Sequence, residues 1–202
     1  MLVVFDLDGT LVDSTRTLLE SHDAAFASVG LQRPRDEEIL ELIGLPLVHI
    51  MRTLAPDQDP DALAAVYSRA YVKLAPDYEQ LFDGMTELLA RPFRAAVATG
   101  KSQRGAERVI NQFGLGDRFE LVLGGNSVPR PKPNPDLLYA IMEATGTKEL
   151  VMIGDTTYDL EMAHAADVKS IGVSWGHYPV EQLRKWGPVV DSVEELGRLL
   201  GV

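Results

Sequence analysis

The chain has 202 residues, a formal net charge of -11 and no cysteine. This length fits one domain with a sizeable core, or a core domain that carries a smaller insertion. The acidic balance argues against nucleic-acid binding, and no apolar stretch approaches the roughly 20 residues that cross a bilayer. We find no secretory signal and no thiol for a disulfide. We therefore expect a cytoplasmic protein without nucleic-acid or membrane partners.

The first part of the chain, from Asp13 to about Phe82, has a purely helical spacing of apolar residues. Prolines separate its segments, and Pro76 follows the last of them. The segments are Leu18 to Val29 with an end at Gly30, Ile39 to Ile43, Leu47 to Leu54, and Leu63 to Leu74. Four consecutive amphipathic helices predict a small helical bundle.

From residue 83 onward, short apolar strands alternate with helical patterns. The predicted strands are Ala95 to Ala98, Leu121 to Leu123, Leu150 to Ile153 and Val168 to Val173, in addition to Leu2 to Phe5 at the N-terminus. This alternation is typical of α/β proteins with a doubly wound parallel sheet. The helical bundle is then an insertion, which divides the chain into a core domain (1–12 and 83–202) and a cap (13–82).

Two aspartates stand directly after the first strand. Asp6 and Asp8 share one face of the extended chain, because successive side chains of a strand alternate. Such close carboxylates repel each other unless a cation or a shared proton relieves them. Gly9 then allows a sharp turn. Taken alone, this pattern fits a calcium loop or a plain turn as well as a catalytic site.

Polar residues also follow two later strands, at the edge where open parallel sheets bind ligands. Thr99-Gly100 comes after the second core strand and offers a hydroxyl and a free amide to an anion. Asp155, Thr156 and Asp159 come after the fourth, although capping of the next helix would also explain them. Between these segments, Lys132 lies in a stiff frame of prolines, which favours a directed side chain over a mobile surface charge.

Together these segments resemble the haloacid dehalogenase superfamily, whose members are mostly phosphatases with this strand order. The resemblance rests on Asp6-Leu7-Asp8-Gly9-Thr10, Thr99-Gly100, Lys132, and Gly154-Asp155-Thr156-Thr157-Tyr158-Asp159, which occur in the family's order over nearly the whole chain. The insertion looks like the family's helical cap, and Gly44-Leu45-Pro46 is similar to the cap loop of phosphoglycolate phosphatase-like members. Many relatives have Ser-Asn or Thr-Asn in place of Thr99-Gly100, so here a backbone amide replaces a side-chain contact.

The resemblance implies a magnesium-dependent phosphomonoester hydrolase. In such an enzyme Asp6 attacks the phosphoryl group to form an aspartyl-phosphate, and Asp8 moves the protons. The Mg²⁺ ligands would be the Asp6 carboxylate, the Asp8 main-chain oxygen and Asp155. The resemblance implies a small phosphorylated metabolite as the partner, for which phosphoglycolate is a candidate.

The remaining roles also follow from the resemblance. Thr99, Gly100 and Lys132 would hold the phosphoryl oxygens as charge shifts in the transition state. Asp159, with Thr156 beside it, would orient Lys132 or a metal-bound water and not ligate the metal directly. Gly44 and Leu45 of the cap would contribute to specificity.

Several alternatives stay open at this stage. A phosphoglucomutase-type phosphoryl transfer and a phosphate-binding module without catalysis both fit these residues, whereas a dehalogenase is disfavoured because Asp8 and Asp155 are both present. His22 and His49 are interpreted as packed or half-exposed histidines, whereas His177 follows a core strand and could approach the site, so its role stays open. Arg16 or Arg130 could reach a substrate carboxylate. The sequence does not decide between a monomer and a homodimer.

Overall fold

The computed structural model describes all residues from 1 to 202, and a six-stranded parallel sheet forms its centre. The strands of the chain are β1 Leu2–Phe5, β2 Val12–Asp13, β3 Gln80–Leu81, β4 Arg94–Ala98, β5 Leu121–Leu123, β6 Leu150–Gly154, β7 Lys169–Val173 and β8 Val189–Val190. The order in the large sheet is β5-β4-β1-β6-β7-β8, and every neighbouring pair is parallel. The predicted doubly wound α/β class is therefore confirmed.

Helices cover both faces of this sheet. The helices are α1 Thr15–Ala27, α2 Asp36–Leu40, α3 Leu47–Leu54, α4 Pro60–Tyr78, α5 Met85–Leu89, α6 Gln103–Gln112, α7 Asp136–Thr145, α8 Thr157–Ala165, α9 Val180–Leu183 and α10 Val193–Leu200. Val3 and Phe5 pack with α5, α6 and α10, whereas Leu2 and Val4 pack with α7 and α8. None of the helices has both the length and the apolar character needed to cross a membrane.

Strand β1 lies at the middle of the sheet, where the chain order reverses. The crossovers from β1 lead to β4 and β5 on one side and to β6, β7 and β8 on the other. The loops after β1 and its neighbours therefore separate at the carboxyl edge and leave a crevice there. The fold itself places a ligand-binding position next to the end of β1.

Helices α1 to α4 form a separate bundle with an apolar core of its own, made of 13 buried residues. The chain enters this bundle through β2 and leaves it through β3, and the two strands form an antiparallel ladder that pairs Val12 with Leu81. Neither strand was predicted, because two residues are too few to show a period. The ladder brings entry and exit together next to the proposed domain boundaries.

The bundle differs from the prediction at two helix ends. The first helix ends at Ala27, three residues before Gly30, although Gly30 has the positive φ of 71° that is common after helices. Pro76 was expected to follow the last helix of the bundle, but it lies inside α4, which ends at Tyr78. A proline removes one helical hydrogen bond, but here the buried Ala75 still accepts a bond from the Glu79 amide, and so the last turn persists.

His22 of α1 is buried in the bundle and lacks a complete set of partners. Its Nδ1 lies 2.8 Å from the Leu18 carbonyl oxygen, and its ring meets the edge of Tyr67, but Nε2 has no hydrogen-bond partner. Burial lowers the pKa of His22 to about 4. The unfolded chain accepts this proton near pH 6.5, so the unfolding free energy must decrease as the pH falls below that value.

Because of His22, we expect the free energy of unfolding to decrease by about 2 kcal/mol when the pH is lowered from 7.5 to 5.0. Urea unfolding at both pH values measures this decrease. For His22→Gln, the decrease in the free energy of unfolding should be about 2 kcal/mol smaller than for the parent protein. His49→Gln, at an exposed position of the same bundle, is the matched control and should behave like the parent. Identical pH dependence of His22→Gln and the parent protein would contradict this account.

Candidate active site

Three adjacent strands deliver the predicted site residues to one edge of the sheet. Asp6 follows β1, Thr99 follows β4, and Asp155 follows β6. The strand pairing continues to the site itself, because the Asp6 amide donates to the Ile153 carbonyl oxygen at 2.9 Å. All three side chains are buried, with exposed fractions of 2% or less.

Lys132 lies between two of the predicted carboxylates. Its Nζ donates to Asp6 Oδ1 at 2.7 Å and to Asp159 Oδ1 at 2.5 Å, and its side chain is fully buried. Burial opposes the charge on Lys132, but the carboxylates of Asp159 and Asp6 outweigh burial and raise its pKa to about 12. The lysine therefore keeps its charge, and two of its three N–H donors are used.

Asp155 is held by three donors from two other parts of the chain. Its Oδ1 accepts from the Thr10 hydroxyl at 3.0 Å, and its Oδ2 lies 2.8 Å from both the backbone nitrogen and Nδ1 of His177. Burial opposes protonation of His177, but the Asp155 carboxylate outweighs burial and raises its pKa. The sequence left the role of His177 open, and the structure places it in the loop after β7, in contact with Asp155.

Asp6, Asp155 and Asp159 form a buried acidic cluster, in which one ligand atom of each lies within 4.8 Å of the others. Burial raises the pKa of Asp6 to about 8, more than Lys132 lowers it, and the other two carboxylates add to the increase. One lysine thus does not compensate three buried carboxylates. A divalent cation with a preference for oxygen ligands suits this donor set and would restore the charge balance.

The Asp159 carboxylate has its own protein partners. Its Oδ2 accepts from the backbone amide and the hydroxyl of Thr156, at 3.1 Å and 2.8 Å, while its Oδ1 binds Lys132. These contacts start helix α8 and fix the carboxylate behind Lys132. The orienting role of Asp159 and Thr156 stays a prediction, and these contacts are the ones that such a role requires.

Asp8 has partners in both the core and the helical bundle. Its Oδ1 accepts from the Ser14 hydroxyl at 2.6 Å, and its Oδ2 lies 3.1 Å from Lys101 Nζ. Burial alone would raise the pKa of Asp8, but Lys101 and Ser14 outweigh burial and lower it. Asp8 is thus ionised in the free protein, in contrast to the high pKa of Asp6.

The bundle contacts Asp8 through Tyr71 of helix α4. The Tyr71 hydroxyl lies 3.3 Å from Asp8 Oδ1 and makes a shorter hydrogen bond to the buried carboxylate of Glu79. Arg108 of α6 pairs with Glu79 at 3.3 Å, and the charged groups of Arg108 and Lys101 both lie over the face of the Tyr71 ring. The position of Asp8 therefore depends on contacts that cross from the core to the bundle.

Two glycines permit close approaches at the site. Gly9 has a φ of 79°, and a Cβ there would lie 2.2 Å from an oxygen of Asp155. A Cβ on Gly100 would lie 2.1 Å from the backbone oxygen of Gly44 in the bundle. The predicted phosphate loop and the predicted cap loop therefore touch each other, and no larger residue than glycine fits between them.

A cavity of about 960 Å³ lies between the bundle and the core. Asp6, Asp8, Thr99 and Gly100 line it from the core, and Gly44 and Leu45 line it from the bundle. Lys132 does not line the cavity, because it lies buried behind Asp6. The cavity brings together every other residue predicted for phosphate binding, proton transfer and cap specificity.

The other candidate residues lie elsewhere. Arg16 pairs with Glu20, Arg130 pairs with Asp136, and neither arginine lines the cavity. The sequence assigned no site role to Lys101, Tyr71 or Glu79. Lys101 directly follows Thr99-Gly100, which was a usable signal, whereas the contacts of Tyr71 and Glu79 depend on how the bundle docks.

Buried carboxylates at the switch point of a doubly wound sheet, beneath a helical bundle, are typical of α/β enzymes that bind small ligands at this edge. The family model for haloacid dehalogenase-like hydrolases matches residues 3–173 of the chain. The chain therefore belongs to this family, and the resemblance found in the sequence is confirmed.

Individual relatives agree with this assignment. A probable phosphatase IndB from Dickeya dadantii is 32% identical over 96% of this chain and 91% of its own length. A phosphoglycolate phosphatase from Neisseria meningitidis is 34% identical over 87% of this chain and 80% of its own length. The crystal structure of a predicted phosphatase from Clostridium acetobutylicum matches with a TM-score of 0.85 and 28% identity, over 100% of this chain and 98% of that one.

Proposed function

We propose that this protein is a magnesium-dependent phosphatase that hydrolyses a small phosphate monoester through an aspartyl-phosphate on Asp6. The observation that carries the proposal is the position of Asp6, which lies at the core side of the cavity with Lys132 on one oxygen and Asp155 nearby. A carboxylate held in this way is a nucleophile with a fixed direction of attack. The phosphatase names of similar proteins support the same reaction class.

In the first step, a carboxylate oxygen of Asp6 attacks phosphorus, and the bond between phosphorus and the ester oxygen breaks. Asp8 donates a proton to the departing oxygen, so an alcohol leaves and an aspartyl-phosphate remains. Asp8 is ionised in the free protein, but the negative charge of an arriving phosphate raises its proton affinity. The Thr99 hydroxyl and the Gly100 amide are the donors available to the phosphoryl oxygens on the cavity wall.

In the second step, water attacks the aspartyl-phosphate and releases inorganic phosphate. Asp8 takes the proton from this water, the bond between phosphorus and Asp6 breaks, and the Asp6 carboxylate is regenerated, while Asp8 returns to the protonated form in which it began the first step. Contacts with Ser14, Lys101 and Tyr71 keep the Asp8 carboxylate in one place during both transfers. The bundle limits the entry of bulk water to the cavity while the intermediate exists.

Mg²⁺ fits the donor set of Asp6, Asp155 and the main-chain oxygen of Asp8, because these are hard oxygen ligands in a site with excess negative charge. Bound there, it would supply charge compensation between the carboxylate nucleophile and the phosphate dianion. Asp159 stays with Lys132 and Thr156 in this proposal and is not a direct ligand.

Removal of divalent metal is expected to lower turnover by at least ~100-fold, because a charge-compensating ion contributes several kcal/mol to such a transfer. Treatment with EDTA followed by gel filtration, with phosphate release as the readout, measures this loss. Added Mg²⁺ should restore turnover, and Ca²⁺ should not, because Ca²⁺ prefers longer and more numerous contacts. Unchanged turnover in EDTA would contradict a role for metal.

A substrate panel with Mg²⁺ tests the function itself. The panel contains phosphoglycolate, sugar phosphates, nucleotides and pyrophosphate, and release of inorganic phosphate from a monoester supports the proposal. A sugar phosphate that is isomerised without phosphate release would indicate phosphoglucomutase-type transfer. Binding without release across the whole panel would indicate a phosphate-binding module.

A further inference from the structure

Two arginines at the cavity are not used by the proposed reaction. Arg69 of α4 and Arg104 of α6 both line the cavity and are both exposed. Neither forms an ion pair, whereas Lys101 pairs with Asp8 at 3.1 Å and Arg108 pairs with Glu79 at 3.3 Å. Arg69 comes from the bundle and Arg104 from the core, so the two guanidinium groups belong to opposite sides of the same space.

The charge of the cavity is opposite to that of the chain. The whole chain has 30 acidic and 19 basic residues. The cavity, by contrast, is lined by four basic residues, Arg69, Lys101, Arg104 and Arg108, and its only acidic lining residues are Asp6 and Asp8. Since Asp6 and Asp8 are engaged by lysines, Arg69 and Arg104 remain as free positive charge that attracts an anion.

The cavity is large, and much of its lining is apolar. Its volume of about 960 Å³ is near the upper end of the range for small-molecule sites. Phosphoglycolate, with a single carbon between its two functional groups, would fill only a small part of it. The apolar residues on the bundle side include Leu18, Ile43, Leu45, Leu47, Ile50 and Val72. These side chains favour a substrate whose middle part is apolar over a substrate with several hydroxyl groups, such as a sugar phosphate.

We propose that Arg69 and Arg104 form a second anion site, which selects phosphate monoesters with an apolar spacer and a carboxylate or phosphate at the far end. This inference rests on the proposed phosphatase function and names the substrate class of that site. The reacting phosphate binds at Asp6, the spacer lies against the apolar wall, and the distal anion binds the two guanidinium groups. Arginine suits this role because its planar fork binds carboxylate and phosphate with paired hydrogen bonds.

The test compares hexyl phosphate with its ω-carboxylate and its ω-phosphate, because the three esters share one spacer and similar leaving groups. With Mg²⁺ and the parent protein, we expect at least one of the ω-anionic esters to have a KM about tenfold below that of hexyl phosphate, with similar kcat. A preference confined to one of them identifies the distal anion as carboxylate or as phosphate. Arg69→Gln and Arg104→Gln should each remove most of this preference and change the KM of hexyl phosphate much less than the KM of its ω-anionic derivatives.

Arg52→Gln is the matched control, because Arg52 is an exposed arginine of the bundle outside the cavity, and it should change none of the three KM values. Equal KM values for the three esters in the parent protein would overturn the second anion site and leave the phosphatase proposal intact. The same holds if the two variants alter hexyl phosphate as much as its ω-anionic derivatives. No hydrolysis of any of the three esters would overturn the second anion site, whereas the phosphatase proposal fails only if the wider substrate panel also releases no phosphate.

Discussion

Asp6→Asn is expected to lower kcat by at least ~10⁴-fold while the protein stays folded, because the amide of asparagine cannot replace the carboxylate nucleophile. Asparagine has nearly the same shape as aspartate and can still accept the hydrogen bond from Lys132. It also removes a carboxyl group whose ionisation burial opposes, since burial raises the pKa of Asp6 to about 8. The thermal midpoint should therefore equal or exceed that of the parent protein.

The measurement combines steady-state phosphate release with thermal unfolding of the same preparations. Asp57→Asn, at an exposed position of the bundle, makes the same chemical change away from the site and should leave kcat unchanged. A folded Asp6→Asn protein whose kcat is within tenfold of the parent value would rule out Asp6 as the nucleophile. Loss of activity together with loss of the thermal transition would show a structural role for Asp6.

The sheet was predictable because each central strand has a continuous apolar run that ends at a polar motif. Strands β1, β4, β5, β6 and β7 agree with the prediction to within one residue at either end. The short strand β8 was missed, since Val189–Val190 gives too brief a signal. The β2–β3 ladder was missed for the same reason, although it joins the two chain segments that lead into and out of the bundle.

The candidate site was predictable where its residues follow strands and unpredictable where it depends on docking. Neighbouring parallel strands end at one edge, so Asp6, Thr99 and Asp155 had to meet there. The Tyr71 hydroxyl reaches Asp8 across 63 positions of sequence, through the packing of α4 on the core, and no local pattern reports such a contact. His177 is an intermediate case. Its strand β7 pairs with β6, so its loop begins next to Asp155.

Lys132 is buried between the carboxylates of Asp6 and Asp159 and pairs with both. A lysine without partners would not remain charged at a fully buried position. Asp6 and Asp159 keep it charged, and in return Lys132 reduces the repulsion between these two carboxylates. In the proposed mechanism, stability and catalysis therefore depend on the same three side chains.

Lys132→Met is expected to lower the unfolding free energy by about 3 to 5 kcal/mol, because it leaves two buried carboxylates without their cation. It should also lower kcat by roughly 10³-fold, since the donor that orients Asp6 is lost. Urea unfolding in EDTA gives the stability change without a contribution from bound metal, and phosphate release with Mg²⁺ gives kcat. Lys148→Met, at an exposed position, should change neither value.

The double variant Lys132→Met with Asp159→Asn separates the two effects of this lysine. Removal of the Asp159 charge leaves one uncompensated carboxylate in place of two, so we expect part of the lost stability to return. Catalysis should not return, because Asp6 still lacks the Lys132 donor at 2.7 Å. The two substitutions are in direct contact and should therefore be strongly non-additive in stability. Additive losses of stability would show that Lys132 and Asp159 do not compensate each other, contrary to the ion pair that the structure contains.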